Sequence, residues 1–290
     1  MGFTLLILAG GLGSRFNGAK QLHGIGPNGE LLMEYSIYDA LKNGCTQIVI
    51  LSNEACIKLL KTKLNYLKSK VQLHFVDQFS FDPRYPNYRK RPWGTGHAVL
   101  ACASHINGLF MVVNADDFYG DEAYFNGVKL MQELNDDEFG LIAYRLANTL
   151  SENGGVSRGI CHTDNNQLIS ISECTNIEMN NGKLSSSDKA IEMNTDQLVS
   201  MNLWVFQDSI FSEFKKAFDD FYKKNEHSET LELYLPNVIN QLIQNHKYNV
   251  KINSTNSSWF GLTYSSDLAP SKEKLKNLIE LGAYPSILEQ

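Results

Sequence analysis

A continuous apolar run over 3–9 opens onto Gly10, Gly11 and Gly13, and Ser14, Arg15 and Lys20 follow closely. Glycines let backbone N–H groups approach a phosphate and supply positive φ where a turn needs it. Two cations beside them add charge-assisted contacts to phosphate oxygens. A bare tight turn would use the same glycines; Arg15 and Lys20 tip the stretch toward a phosphate cradle. Two common patterns are not met. A P-loop wants Ser or Thr after its lysine, and Lys20 is followed by Gln21. A dinucleotide fingerprint wants a third glycine where Ser14-Arg15-Phe16 stands, with a helix beginning there. A second apolar run, 109–113, ends on Asn114-Ala115-Asp116-Asp117. Carboxylates at a strand end suit a hard cation, and equally suit a turn or a helix cap.

These residues need elements to hold them. Apolar runs over 3–9, 47–51, 71–76, 109–113 and 139–145 read as strands. Helical spacing over 31–42, 54–67, 95–104 and 121–134 alternates with them. Strands alternating with helices imply an α/β fold with a Rossmann-like, mainly parallel sheet and right-handed crossovers. In such a sheet ligands bind beyond the carboxyl ends of the strands, where both the glycine loop and Asp116 fall. After about residue 150 the rhythm changes. Stretches 156–161, 167–173 and 198–206 read as strands without helices between them, and 175–195 reads as a polar loop. Helices over 209–224 and 231–245, a strand over 248–252 and a helix over 265–281 complete the chain.

The 290 residues are 43% apolar and 20% charged with a net charge of −6, ordinary globular values that argue against a dedicated nucleic-acid binder. Five cysteines, an odd number with no C-x-x-C spacing, are expected to be reduced in a cytoplasmic chain. The N-terminal apolar run is expected to be a strand rather than a signal peptide, and no stretch reaches the ~20 apolar residues of a membrane helix.

Leu8-Ala9-Gly10-Gly11-Leu12-Gly13-Ser14-Arg15 with Lys20 after it resembles the N-terminal motif of the sugar-nucleotide pyrophosphorylases, although the spacer before the lysine is shorter here. Other stretches fall in the order of that family. They are Gln78 after the third strand, Trp93-Gly94-Thr95 opening a helix, Asn114-Ala115-Asp116-Asp117, Ser172-Glu173, Ser200-Met201-Asn202, and Trp259-Phe260-Gly261. The resemblance spans about 3–265 and implies a GT-A-like nucleotidyltransferase fold over 1–290. A nucleotide-binding half, 1–150, would precede an acceptor-binding half, 151–264, and a C-terminal helix, 265–290.

The implied reaction joins a nucleoside triphosphate to a sugar 1-phosphate or similar phosphomonoester and releases pyrophosphate. Arg15, Lys20 and Asp116 would be catalytic. Ala9, Gly10, Gly11, Gly13, Ser14, Gln78, Gly94 and Thr95 would bind the nucleotide; for Thr95 a helix-capping role stays open. Asn114, Glu173 and Asn202 would bind the acceptor. Mg²⁺ would sit on Asp116, with Asp117 as the other candidate. An amide such as Gln78 suits a uracil or thymine edge, favouring UTP or dTTP, with CTP open. No nucleic acid or membrane partner is implied, and a homo-oligomer is open.

Two positions depart from the family pattern. Cys174 stands where a lysine follows the glutamate, and Gly261 stands where a second metal-binding aspartate is usual. The acceptor phosphate would then fall to Arg158 or to the basic run Arg89-Lys90-Arg91, and the segment 79–91 reads as a possible lid. The same two departures leave a second reading open, a catalytically silent nucleotide-sugar binder or regulatory protein.

Overall fold

The computed structural model describes residues 2–11, 19–79, 89, 91–151, 154–180, 182–188 and 193–288. In chain order these form β1 (Phe3–Leu8), α1 (Leu32–Lys42), β2 (Cys45–Ser52), α2 (Glu54–Lys63), β3 (Gln72–Asp77), α3 (Thr95–Ala101), β4 (Leu109–Asn114) and β5 (Asp117–Phe118). There follow α4 (Asp121–Glu133), β6 (Glu138–Arg145), β7 (Val156–Asp164), β8 (Gln167–Asn180), β9 (Lys183–Ser185), β10 (Leu198–Gln207), α5 (Ile210–Asn225), α6 (Leu235–Gln244), β11 (Asn249–Thr255), β12 (Phe260–Gly261) and α7 (Leu268–Glu280).

One sheet runs in the order β3-β2-β1-β4-β10-β6-β11-β8-β7. Strands β3, β2, β1 and β4 are parallel, as the alternation of strands and helices predicts. β10 then enters antiparallel between β4 and β6, so the sheet as a whole is mixed. All six residues of β1 are buried, as expected of a strand covered on both faces. On one face, strand side chains such as Leu6, Val112 and Phe206 pack under Trp93, Phe214, Phe218 and Ile239 of the α3–α5–α6 layer. On the other, Leu5, Ile7 and Val113 pack under Met33, Leu60 and Tyr124 of α1, α2 and α4. A smaller cluster joins Phe118 of β5, Phe260 of β12, Leu275 of α7 and Tyr284.

Two expectations are corrected. β8 does not end near Glu173; it continues to Asn180 and folds back through β9, so part of the stretch expected to be a loop is a hairpin. Its side chains are largely solvent-facing, so polarity hid an extended strand that Ile177, buried opposite Val156, keeps in register. α6 begins at Leu235, not 231, because Leu233 is held extended: its N–H donates to the Trp93 carbonyl at 2.7 Å and its carbonyl accepts from Gly96 at 2.8 Å.

Candidate active site

The ends of β1 and β4 lie side by side, and the polypeptide beyond each is tied to the other: Ala115 N–H donates to the Leu8 carbonyl at 3.1 Å. Ala9 is fixed from two sides, its carbonyl accepting from Gln21 Nε2 at 2.9 Å and from Ser52 Oγ at 2.8 Å. Gln21 is buried, a polar side chain that no local pattern marks as structural. By tying the return of the loop to Ala9 it sets the position of its neighbour Lys20, whose ammonium pairs with Asp116 Oδ2. Lys20 and Asp116 thus meet across a chain separation that no local pattern reveals. Gly13, Ser14 and Arg15 lie outside the described residues.

Gln78 is buried over Gly10. Its Nε2 donates to the Gly10 carbonyl at 3.1 Å, and a Cβ on Gly10 would stand 2.2 Å from its Oε1. A side chain at position 10 would therefore push the Gln78 amide off the loop. One N–H of the Gln78 amide, expected at a nucleobase edge, is given to the loop. Among the described residues, Lys20 Cε alone comes within 4.0 Å of the position of a Cβ on Gly11.

Gly94 and Thr95 are also engaged within the protein. Gly94 has φ +99°, and a Cβ there would come within 2.5 Å of the Leu233 carbonyl oxygen. Thr95 does not cap its own helix. Its Oγ1 accepts from the Leu235 N–H at 2.9 Å, satisfying an orphan donor at the start of α6. His97 is core, its ring centroid 4.5 Å from that of Phe218.

The aspartates differ. Asp116 is partly exposed in the turn after β4, while Asp117 on β5 is buried. Asp117 Oδ2 accepts from Asn114 Nδ2 at 2.8 Å and lies 3.3 Å from the Tyr119 hydroxyl, which also reaches the Met201 carbonyl at 2.9 Å. Asn114, expected on the acceptor, thus gives one N–H of its amide to Asp117. Burial first, then the charge of Asp116, raises the Asp117 carboxyl to about 7, with Asn114, Lys20 and Arg158 drawing it back. β5 pairs antiparallel with β12, placing Gly261 directly opposite Asp117 and stacking Phe118 on Phe260 at 4.5 Å. A Cβ on Gly261 would lie 2.5 Å from Asp117 Oδ1. The space that an aspartate at 261 would enter is filled by a carboxylate from the facing strand. Leu262 N–H, next along, donates to the Asp116 carbonyl at 2.9 Å.

On the other side of the site, Glu173 is exposed on β8 opposite Gly159, which also pairs with Ser200 of β10. Just beyond Ser200, Met201 and Asn202 form a bulge against β6, with Asn202 at φ +61°. Bulges re-aim side chains, and Asn is among the residues that tolerate this conformation. The Asn202 carbonyl oxygen Oδ1 accepts from Trp204 Nε1 at 3.4 Å, and Trp204 itself is core. Cys174 is fully buried with its sulfur 3.8 Å from that of Met193.

Arg89 is excluded as an acceptor ligand. It is buried, its guanidinium 3.5 Å from the Trp93 ring, and it donates to the Leu231 carbonyl at 2.7 Å and to the Ser228 carbonyl. Arg91 pairs with Glu232 at 3.4 Å. Lys90 and residues 80–88 of the expected lid lie outside the described residues. No group of three or more His, Cys, Asp or Glu side chains gathers around a metal-sized site among the described residues. No helix there is long and apolar enough to cross a membrane.

The Nucleotidyl transferase family model matches residues 4–274. Among curated proteins, the Bifunctional protein GlmU of Methanococcus aeolicus is 26% identical over 218 residues; the match covers 74% of this chain and 41% of that protein. A putative glucose-1-phosphate thymidylyltransferase from Bacillus anthracis superposes with a TM-score of 0.66 at 14% identity, covering 96% of each chain. The inositol-1-phosphate CTP transferase from T. maritima superposes with a TM-score of 0.62 at 16% identity, covering 94% of this chain and 96% of that one. At such identities the superpositions show a shared fold. The match along nearly the whole chain, on a fold that brings the glycine loop and the aspartate pair to one sheet edge, places the protein in the nucleotidyl transferase family of enzymes.

Proposed function

We propose that the protein transfers a nucleotidyl group from a pyrimidine nucleoside triphosphate to a sugar 1-phosphate or a similar phosphomonoester, releasing pyrophosphate. The observation that carries this reading is the pairing of Lys20 with Asp116 at the edge where the glycine loop begins, with the Asp117 carboxylate beside it. The pyrimidine preference rests on Gln78, whose amide has a second N–H beyond the one given to Gly10, together with an acceptor oxygen, to meet a uracil or thymine edge. UTP and dTTP are the first choices, with CTP next. The nucleotide would lie against 1–150 and the acceptor against 151–264.

In the reaction an acceptor phosphate oxygen attacks the α-phosphorus in line. The new P–O bond forms as the bond to the β-phosphate oxygen breaks, and its electron pair leaves with pyrophosphate. No covalent nucleophile is required of the protein; positioning and charge neutralisation are. Gly11, lacking a Cβ, lets phosphate oxygens approach its backbone, and Lys20 neutralises their charge. Glu173 and Asn202 accept hydrogen bonds from acceptor hydroxyls.

The residues fit a magnesium ion. Two carboxylates on consecutive residues offer hard oxygen donors, and Asp117 takes its side-chain hydrogen bonds on Oδ2. Asp116 and Asp117 would hold the ion, which when bound supplies further neutralisation of phosphate charge. The silent-binder reading draws on Gly261 and Cys174, yet Gly261 faces a carboxylate. Pyrophosphate release, measured with Mg²⁺ across UTP, dTTP, CTP, ATP and GTP and a panel of phosphomonoesters, separates the two. Release with one triphosphate, lost in Asp116→Ala, supports transfer. Tight nucleotide-sugar binding with no release from any pair supports the silent binder.

A further inference from the structure

A cavity of about 300 Å³ lies behind β12, lined among others by Gly155, Arg158, Trp259, Gly261 and Lys274. That is the small end of the range for ligand sites, ~300–1,000 Å³. Its wall at Gly261 is the ladder partner of Asp117, so an occupant sits one strand away from the aspartate pair.

Arg158 is the chemical centre of this cavity. It is only 6% exposed, and its guanidinium lies 4.5 Å from the Trp259 ring. Nε donates to Thr149 Oγ1 at 3.1 Å, Nη1 to the Ser157 carbonyl at 2.7 Å, and Nη2 to the Thr149 carbonyl. A guanidinium has five N–H groups. One on each Nη therefore remains without a protein acceptor among the described residues, in a group held rigid from three sides. Buried donors of this kind call for an acceptor, and a charged fork is best matched by phosphate or carboxylate oxygens. Burial draws Arg158 down to about 10, so it remains a cation at neutral pH. Across the cavity Lys274 of α7 brings a second cation; its Nζ stands 5.5 Å from the Phe260 ring, and no carboxylate pairs with it among the described residues. Among the described residues of the lining the one carboxylate, Asp267, accepts the Thr263 and Tyr264 N–H groups at 2.9 and 2.7 Å.

We infer that this cavity holds the anionic phosphate of the acceptor, gripped by the two open N–H groups of Arg158 and by Lys274. This rests on the transfer reading for its ligand but not for its chemistry. It also accounts for the buried Cys174: Arg158 lies directly opposite it in the β7–β8 ladder, so the cation is present on the neighbouring strand.

Trp259 lines the cavity, whereas Trp93 and Trp204 are fully buried, so indole fluorescence reports occupancy. The experiment titrates wild type, Trp259→Phe, Lys274→Glu and Arg158→Lys with inorganic phosphate and with glucose 1-phosphate, and measures KM for acceptor and triphosphate in the pyrophosphate assay. Lys274 is exposed, so Lys274→Glu tests the cavity without a folding risk. The expected result is a saturable signal absent in Trp259→Phe and weakened about tenfold or more in Lys274→Glu. Acceptor KM should rise by a similar factor in both cation variants, with triphosphate KM unchanged. Unaltered phosphate titration and acceptor KM in both cation variants would overturn the inference, as would a rise confined to triphosphate KM. If wild type releases no pyrophosphate but binds phosphate through Arg158 and Lys274, the cavity stands and the transfer reading falls.

Discussion

Asp39 offers a stability test whose size follows from its surroundings. It is buried on α1, and its Oδ2 accepts from the Tyr284 hydroxyl at 2.7 Å, joining α1 to the C-terminal segment. Oδ1 is buried with no hydrogen-bond partner among the described residues. Burial raises the carboxyl to about 8, the Tyr284 hydrogen bond and Lys42 opposing and Asp121 adding to the rise. An unfolded chain ionises this group near ~3.9. The folded form therefore keeps a proton that the unfolded form gives up. The contribution of Asp39 to stability is full below about pH 4, declines as pH rises, and reaches its floor above about pH 8. At ~1.4 kcal/mol per pH unit, the loss by pH 7 is on the order of 4 kcal/mol. Asp39→Asn keeps an oxygen for Tyr284 and cannot ionise. Urea unfolding of both proteins between pH 4.5 and 8 should show wild type losing stability relative to the variant by about 1 kcal/mol per pH unit, with the variant the more stable at pH 7.5. Asp117 carries a shift of the same sign, so the difference between the two curves, not the wild-type slope, isolates Asp39. Parallel curves would refute the reasoning. The same residue supports the site, because the Tyr284 ring packs on Phe118, which follows Asp117.

Asp117→Asn should keep the Asn114 and Tyr119 contacts in shape but lower the rate of pyrophosphate release on the order of 100-fold, as expected for losing one electrostatic contact to a phosphoryl transition state; circular dichroism checks that the fold is retained. Gly10→Ala should destabilise by about 1–3 kcal/mol, because its Cβ meets Gln78 Oε1 at 2.2 Å, and Gly10→Ala/Gln78→Ala should recover most of that loss in thermal unfolding. Thr95→Val should lower stability by about 1 kcal/mol by leaving the Leu235 N–H without its acceptor, with triphosphate KM little changed; a large KM rise would restore the direct nucleotide role. Asn202→Ala should cost about 1 kcal/mol or more at φ +61° while Asn202→Gly costs less, and a raised acceptor KM in both would support contact by the amide.

Much of this architecture is legible in the residues themselves. The run 3–9 followed by glycines reads as a buried parallel strand and a ligand loop because burial on both faces and close backbone approach impose those compositions. The change of rhythm after 150 announces the antiparallel part. Other features escape a linear reading for identifiable reasons. The β8–β9 hairpin is mostly solvent-facing and so carries no apolar alternation. Gln21 is a polar side chain buried for the sake of one carbonyl. Asn114, Gln78 and Thr95 are polar residues near a site, and spacing alone does not tell whether such groups face a ligand or their own backbone.

By itself the sequence determined the strand–loop–helix order, the glycine loop with Lys20, and the placement of Asp116 at a strand end, because these follow from local periodicity and from chain direction. Only the tertiary structure decided which charges meet. Lys20 reaches Asp116 and Asp117 faces Gly261 across long chain separations, and Arg158 faces Cys174 through the register of the β7–β8 hairpin. Across an antiparallel ladder directly opposed side chains lie on the same face a few ångströms apart. A carboxylate or a cation can therefore be supplied from either strand, and its absence at one position in the sequence does not remove it from the site.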